Sequence, residues 1–342
     1  MKPHPLGCAG LPRSHAAAGF VLPVTVILLA LIAVGVALMS HRSDQLRDLV
    51  MASRQEQQAA AAVQNTLAQA MYLSSTLYRR GKRMGDIVID GRYYRTADGI
   101  DVSYLDAGAL FNLRRARPTE LVGLLLALGI GDAKADRLSD TLLDYVDADS
   151  LVRLNGAEAP EYAAAKMPPP RNNFLLMPTE LQRIVGWHDL DAATLNAVLD
   201  NVYVGTVGNV NRNTVRAPVL AALGGTDIAS ARALIAQRDA GQPLAIESLP
   251  SVVHGSFFSV GRYITLPSST LLISICPPAV AWCQRVSLTA TADDGLGPWH
   301  VDYSIRVTRT VALPASAQVE ALPDQPPKHP PPPLFTPFGN QQ

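Results

Sequence analysis

The chain has 342 residues, and its 29 Lys and Arg balance its 29 Asp and Glu, so the formal net charge is zero. Charged residues make up 17% and hydrophobic residues 48% of the chain. This composition excludes a general nucleic-acid binder, which needs a basic surplus, and a chain that is disordered throughout. Three cysteines also exclude a disulfide-dense scaffold.

The first predicted element is an uncharged apolar segment at residues 20–39. As a helix it would span about 30 Å, the thickness of the hydrocarbon core of a bilayer. Residues 1–19 carry Lys2 and Arg13 but no acidic residue, which predicts a cytoplasmic N-terminus. The segment is longer than the core of a secretory signal and lacks a good cleavage site after it. A plain single-span anchor and a processed leader that ends at Gly19 are the other two interpretations.

The boundary at Gly19 and Phe20 resembles the class III leader of type IV pilins and type II secretion pseudopilins. That resemblance implies that a prepilin peptidase cuts after Gly19 and that Phe20 becomes a methylated N-terminus. Most members have a glutamate at the fifth mature position, whereas this chain has Val24. Minor pseudopilin K lacks this glutamate, so the difference narrows the resemblance to that member.

The next segment, residues 40–80, is rich in Ala, Gln and Leu and contains no Gly or Pro. Its apolar residues recur every three or four positions, which predicts one amphipathic helix. We therefore expect an N-terminal transmembrane and assembly helix at 20–85, ended by Gly81 and Gly85.

Strand patterns flank a long helical region. Residues 86–95 are predicted to form a hairpin turning at Asp90-Gly91, and residues 100–105 and 110–113 are predicted strands. A second strand-rich block predicts further strands at 257–264, 270–275, 285–290 and 300–308, the last with alternating apolar residues. The expected fold class is α+β, with a sheet at 86–115 and 257–312, an inserted all-α domain at 116–256 and a Pro-rich disordered tail at 313–342.

Three Gly-containing turns in the helical region resemble helix-hairpin-helix or SAM-like turns: residues 128–135, 220–231 and, more weakly, 181–186. Amide groups at such turns can hold a DNA phosphate, but the same turns also serve simply to connect helices. Asp132 and Asp227 and the neutral net charge favour the second interpretation, and no nucleic-acid partner is expected.

An acidic cluster is the candidate metal site, with ligands Asp144, Asp147, Asp149, Glu158 and Glu161. Hard oxygen ligands suit calcium, although the spacing is not that of an EF-hand, and a solvated acidic loop is the alternative. The seven His residues are scattered and no phosphate loop is present, so we expect no enzyme activity. Cys276 and Cys283 are either a disulfide in an oxidising compartment or two buried thiols.

Three segments together resemble one family, the minor pseudopilin K of type II secretion systems. They are residues 106–113, residues 143–150 with 155–158 and Tyr162, and residues 210–214 followed by 217–223, where Arg212 interrupts the usual pattern. The resemblance implies a pseudopilin fold with an inserted helical domain. It also implies a calcium ion held most securely by Asp147, Asp149 and Glu158.

The same resemblance implies a structural role at the tip of a periplasmic pseudopilus, beside minor pseudopilins I and J. The protein would be a single-pass inner-membrane protein with a periplasmic C-terminal domain. Two alternatives remain open: a minor pilin of a type IV pilus, and a membrane-anchored helix-hairpin-helix protein that binds DNA.

Overall fold

The computed structural model describes residues 21–76, 79–253, 261–291, 297–309 and 320–322. The predicted leader, including Gly19, its neighbour Phe20 and most of the predicted tail lie outside the described residues. The chain divides into two units, Met1–Gln57 and Gln58–Gln342. The structure is a mixture of helices and strands with a long helix at its N-terminal side.

The α-helices are α1 (Val21–Thr76), α2 (Pro118–Ala127), α3 (Asp132–Val146), α4 (Ala159–Ala164), α5 (Ala192–Leu199), α6 (Ala217–Gly224), α7 (Ile228–Asp239) and α8 (Pro250–Val253). The strands are β1 (Arg79–Arg80), β2 (Arg83–Met84), β3 (Ile87–Val88), β4 (Asp90–Arg95), β5 (Asp101–Asp106), β6 (Phe111–Asn112), β7 (Val202–Tyr203), β8 (Val210–Asn211), β9 (Tyr263–Ile264), β10 (Thr270–Cys276), β11 (Trp282–Ala290), β12 (Trp299–Thr308) and β13 (Glu320–Ala321).

The first unit consists, in its described part, of the N-terminal portion of α1. Its large apolar side chains are exposed along the whole segment between Leu22 (76% exposed) and Met39 (78% exposed). Among the described residues, α1 is long and apolar enough to cross a membrane, judged by length and composition alone. This helix fits a single membrane anchor.

The end of α1 differs from the sequence prediction. The helix ends at Thr76, and β1 to β3 form a small antiparallel sheet in the next residues. Gly81 and Gly85 have φ values of 61° and 57° and occupy the turns of this sheet. The prediction that these two glycines end the helix was therefore wrong, because their left-handed conformation serves tight turns instead.

The main sheet has six strands in the order β12-β11-β10-β5-β4-β13. Its neighbours are antiparallel except for β13 and β4, which run parallel. The predicted hairpin at Asp90-Gly91 is wrong, since β4 continues through this pair with a register shift. The chain turns instead at a second Asp-Gly pair, where Gly99 has a φ of 77° and its amide donates to the Thr96 carbonyl.

The two faces of the sheet are both covered. Val63, Ala70 and Leu73 of α1 are buried together with Ile273 and Ile275 of β10. On the opposite face, apolar residues of β11 and β12 join the core of the helical region. The seven-residue span of β10 is buried on both sides because it lies between these layers.

The helical region lies between β5 and β10 in the chain. Short parallel pairs link it to neighbouring segments, β6 with β7 and β8 with β9. Two helix pairs are joined by turns with a left-handed glycine: α2 and α3 at Gly129, and α6 and α7 at Gly225. Cys276 and Cys283, at adjacent ends of β10 and β11, form a disulfide.

One fully buried carboxylate, that of Asp106 at the end of β5, joins three parts of the chain. Its Oδ1 accepts hydrogen bonds from Gly108 N (3.2 Å) and from Ser268 N and Oγ (2.9 and 2.6 Å). Its Oδ2 accepts from Asn211 Nδ2 (2.6 Å) and Thr214 Oγ1 (3.2 Å). The carboxylate thus ties β5 to β8 and the turn after it, and to the segment before β10.

Replacing Asp106 should therefore destabilise the fold strongly. Asp106→Asn replaces one accepting carboxylate oxygen by an amide NH2, which faces other hydrogen-bond donors and cannot accept from them. We therefore expect the free energy of unfolding to fall by about 3 kcal/mol. Urea unfolding of the full chain in detergent, followed by Trp fluorescence, measures this. The control Asp98→Asn alters an exposed carboxylate and should change the value by less than about 0.5 kcal/mol. Equal effects would contradict the role of Asp106.

Candidate metal centre

Three of the predicted ligands lie together where α3 ends and α4 begins. One carboxylate oxygen each from Asp147, Asp149 and Glu158 lies within 4.8 Å of the other two. Asp147 follows the last residue of α3, and Glu158 precedes the first residue of α4. The loop between the helices therefore starts and ends at this carboxylate cluster.

The buried oxygens of the cluster lack partners. Glu158 is 4% exposed, and its Oε1 has no hydrogen-bond donor; neither has the buried Oδ1 of Asp147. Burial raises the pKa of the Glu158 carboxyl, and the neighbouring carboxylates, including Asp144 and Asp149, raise it further. A buried carboxylate without compensation is costly, so this set of donors fits a cation that accepts oxygen ligands.

The other two predicted ligands make different contacts. The buried Asp144 accepts hydrogen bonds at Oδ2 from Arg153 N (3.1 Å) and Ala157 N (3.0 Å), and its Oδ1 is 3.1 Å from Arg153 Nε. Burial raises the pKa of Asp144, and these donors oppose the rise. Glu161 accepts at Oε2 from the Glu158 amide at 2.9 Å. Asp144 and Glu161 therefore hold the loop and the start of α4.

Two residues that the sequence did not single out also hold the loop. Arg153 contacts Asp144 and, through its Nη2, Asp147 Oδ2 at 3.3 Å. Asp140 Oδ2 accepts from both the backbone N and the side-chain Nδ2 of Asn155, each at 3.1 Å. Asp140 lies one helical turn before Asp144 on α3, so the two carboxylates share a helix face. This spacing could have indicated from the sequence that both contact the same loop.

Gly156 is required by close packing in this loop. A Cβ atom at this position would lie 1.8 Å from Asp144 Oδ2 and 3.1 Å from Arg153 Cβ. The Asp144 carboxylate cannot turn away cheaply, because two backbone amides hold it. In this Asn-Gly-Ala-Glu sequence, Gly156 therefore leaves room for the Asp144 carboxylate, and Glu158 supplies a second buried carboxylate.

Fold and site together define a mixed α+β protein with a membrane-type helix and an oxygen-lined candidate cation site. Its relatives identify the class further. Models of the family "Type II secretion system (T2SS), protein K" match residues 107–202 and 210–253. The chain therefore carries the protein K region of this family across its helical part, and the resemblance indicated by the sequence motifs is confirmed.

Two individual proteins are similar to this chain. The type II secretion system protein K of Dickeya chrysanthemi is 35% identical over 105 residues, which cover 29% of this chain and 28% of that protein. A chain of the solved GspK–GspI–GspJ complex from the type 2 secretion system of enterotoxigenic Escherichia coli has 20% identity and a TM-score of 0.55. That match covers 75% of this chain and 98% of the other, and it shows a shared fold.

The packing at Gly156 gives a prediction. Gly156→Ala should displace the Asp144 carboxylate and lower the free energy of unfolding by about 2 kcal/mol, as overpacking does. Gly131→Ala is the matched control, since a Cβ there has no atom within 4 Å. Urea unfolding of both variants checks this, and a loss in Gly156→Ala no greater than in Gly131→Ala would contradict it.

Proposed function

We propose that the chain is a structural, non-enzymatic minor pseudopilin that helps to initiate a pseudopilus for type II protein secretion across the outer membrane. The protein K region that spans its helical part supports this proposal most directly. In the proposed architecture, α1 and the main sheet form a pseudopilin fold, and residues 116–256 form a helical domain inserted into it, with helix-hairpin-helix turns.

A position at the tip of the pseudopilus follows from two features of the chain. Val24 stands where most pilins have the glutamate that pairs with the N-terminus of a neighbouring subunit, so this chain would have no such pairing with a subunit above it. The bulk of the helical region would also obstruct further addition. Both features suit the first, uppermost subunit.

The proposed partners are minor pseudopilins of the I and J types, because the solved relative is part of a GspK–GspI–GspJ complex. An exposed apolar stripe on α1, made of Leu46, Leu49 and Val50, offers a surface for neighbouring helices. Prepilin peptidase would cut after Gly19, and the protein would remain in the inner membrane with Lys2 and Arg13 on the cytoplasmic side before cleavage. A periplasmic location of the C-terminal unit agrees with its disulfide.

The DNA-binding alternative is disfavoured by the hairpin turns themselves. At the start of α7, Asp227 Oδ1 already accepts the hydrogen bond from Ser230 N at 2.9 Å. This bond and a second one from the Ser230 hydroxyl lower the pKa of Asp227. A charged carboxylate therefore occupies the position that a phosphate would need. The first turn carries Asp132 at the start of α3. A minor pilin of a type IV pilus remains the alternative within the same class.

Calcium is the proposed structural cofactor. Asp147, Asp149 and Glu158 would hold it, and the ion would compensate the buried, unpartnered oxygens of Asp147 and Glu158. Calcium takes six to eight oxygen ligands, so backbone carbonyls or water would supply the others. Its contribution would be to fix the loop between α3 and α4.

Assembly can be tested by co-purification of the tagged full chain with I- and J-type pseudopilins after co-expression with prepilin peptidase. We expect co-purification, and N-terminal sequencing should begin at Phe20. Leu46→Ser/Val50→Ser should lower partner recovery about tenfold, because it removes apolar contact area. The control Asp44→Ser/Asp48→Ser changes the opposite side of the helix and should retain the partners. Recovery of neither pseudopilin with the unmodified chain would contradict the secretion role, and an intact leader would contradict processing.

Metal binding can be tested by thermal unfolding of the full chain in detergent with calcium or a chelator. Saturating calcium should raise the melting temperature by about 5 °C, since it binds only the folded state. Asp147→Ala/Asp149→Ala should lose this difference, while the control Asp98→Ala/Asp136→Ala, which changes two exposed carboxylates, should keep it. Equal melting temperatures with and without chelator would indicate a solvated acidic loop.

A further inference from the structure

The loop between α3 and α4 exposes three aliphatic side chains. Leu151 is 78% exposed, Val152 54% and Leu154 96%. Isolated exposed apolar residues are ordinary, but three within four positions form a patch that needs an explanation. We name Leu151, Val152 and Leu154 the aliphatic tip.

The loop that carries the aliphatic tip is held from inside. Arg153 N and Ala157 N donate to Asp144 Oδ2, and Asn155 N donates to Asp140 Oδ2. The polar backbone is therefore satisfied by α3, while the aliphatic side chains remain in solvent. Their exposure is a consequence of a fixed loop conformation.

The aliphatic tip and the candidate metal centre belong to the same loop. Asp149 precedes the tip and accepts a hydrogen bond from Leu151 N at 2.8 Å, and Glu158 follows the tip. The unpartnered Oε1 of the buried Glu158 independently indicates a cation here. Asp149 is exposed, so the cluster opens to solvent beside the tip, and three carboxylates leave part of a calcium shell for other oxygen atoms.

We propose that this loop docks the protein on an anionic phospholipid surface in a calcium-dependent manner. The proposal rests on the proposed calcium site. Phosphate oxygens of the lipid headgroup would complete the calcium shell at Asp149, and Leu151, Val152 and Leu154 would enter the boundary of the acyl chains. The ion and the aliphatic tip would thus contact one membrane together.

Charge and residue type favour a lipid surface over a protein. The carboxylates of the cluster repel anionic headgroups. A bound calcium ion offsets two of the three negative charges of Asp147, Asp149 and Glu158 and offers open coordination positions to phosphate oxygens, which gives a calcium-dependent attraction. Protein interfaces depend mainly on Trp, Tyr and Arg, and Leu and Val are under-represented among their energetic centres. The tip offers only aliphatic side chains, and the Arg153 guanidinium contacts Asp144 and Asp147.

The test uses the full chain embedded through α1 in nanodiscs of phosphatidylcholine alone, mixed with sedimentable vesicles. Vesicles of phosphatidylcholine with phosphatidylglycerol should retain the nanodiscs at least about tenfold better with calcium than with a chelator. Vesicles of phosphatidylcholine alone, or empty nanodiscs, should give no such difference. Leu151→Ser/Leu154→Ser should abolish most of the retention while keeping the calcium-dependent melting shift.

The matched control is Leu126→Ser/Leu266→Ser, which changes two exposed leucines elsewhere and should retain vesicle binding. Vesicle binding that is unchanged by Leu151→Ser/Leu154→Ser, or independent of calcium, would overturn the proposal. A calcium melting shift without vesicle binding would overturn the docking alone, whereas loss of the shift itself would overturn the calcium site. Leucine-dependent recovery of a pseudopilin without vesicle binding would assign the tip to a protein partner.

Discussion

The arrangement of the second unit depends on one buried carboxylate, that of Asp106. A fully buried charge is tolerated only when its oxygens are well supplied with hydrogen bonds, and Asp106 receives five from four residues. Its partners belong to the residues directly after β5, to β8 and the turn after it, and to the segment before β10. The chain thus leaves the sheet and returns to it at the same carboxylate.

The acidic loop uses carboxylates in two opposite ways. Asp144 accepts two backbone amides at Oδ2, and its Oδ1, which has no hydrogen-bond donor, forms an ion pair with Arg153, so Asp144 fixes the backbone of the loop. Glu158 is also buried and has an oxygen without a donor, but its neighbours are further carboxylates. The two carboxylates therefore differ in their neighbours, since Asp144 is paired with a cationic side chain and Glu158 lies among further carboxylates.

Local sequence patterns predicted the regular elements better than the connections between them. The strands β10, β11 and β12 follow from runs of apolar or alternating residues, and β5 was predicted within one residue. The turn after β4 was misplaced because two Asp-Gly pairs compete, and tertiary pairing with β5 selects the second. The ties between Asp106 and Ser268 were not predictable, since these residues are separated by 162 positions. The aliphatic tip was also missed, because the sequence of three apolar residues does not show whether their side chains are buried or exposed.

The position of the acidic loop explains why the helical region can carry exposed features without weakening the sheet. The loop is held mainly by Asp140 and Asp144 of α3, which accept from its backbone, and Asp144 also pairs with Arg153 of the loop. The sheet is secured separately, by Asp106 and by the apolar residues that α1 buries against β10. Unsatisfied carboxylates and exposed leucines at the loop therefore cost stability only locally. The helical region is held to the sheet by Asp106, by the apolar core that it shares with β11 and β12, and by Arg285 of β11, which donates to Leu199 O and Asp200 Oδ1, and all of these contacts lie outside the acidic loop.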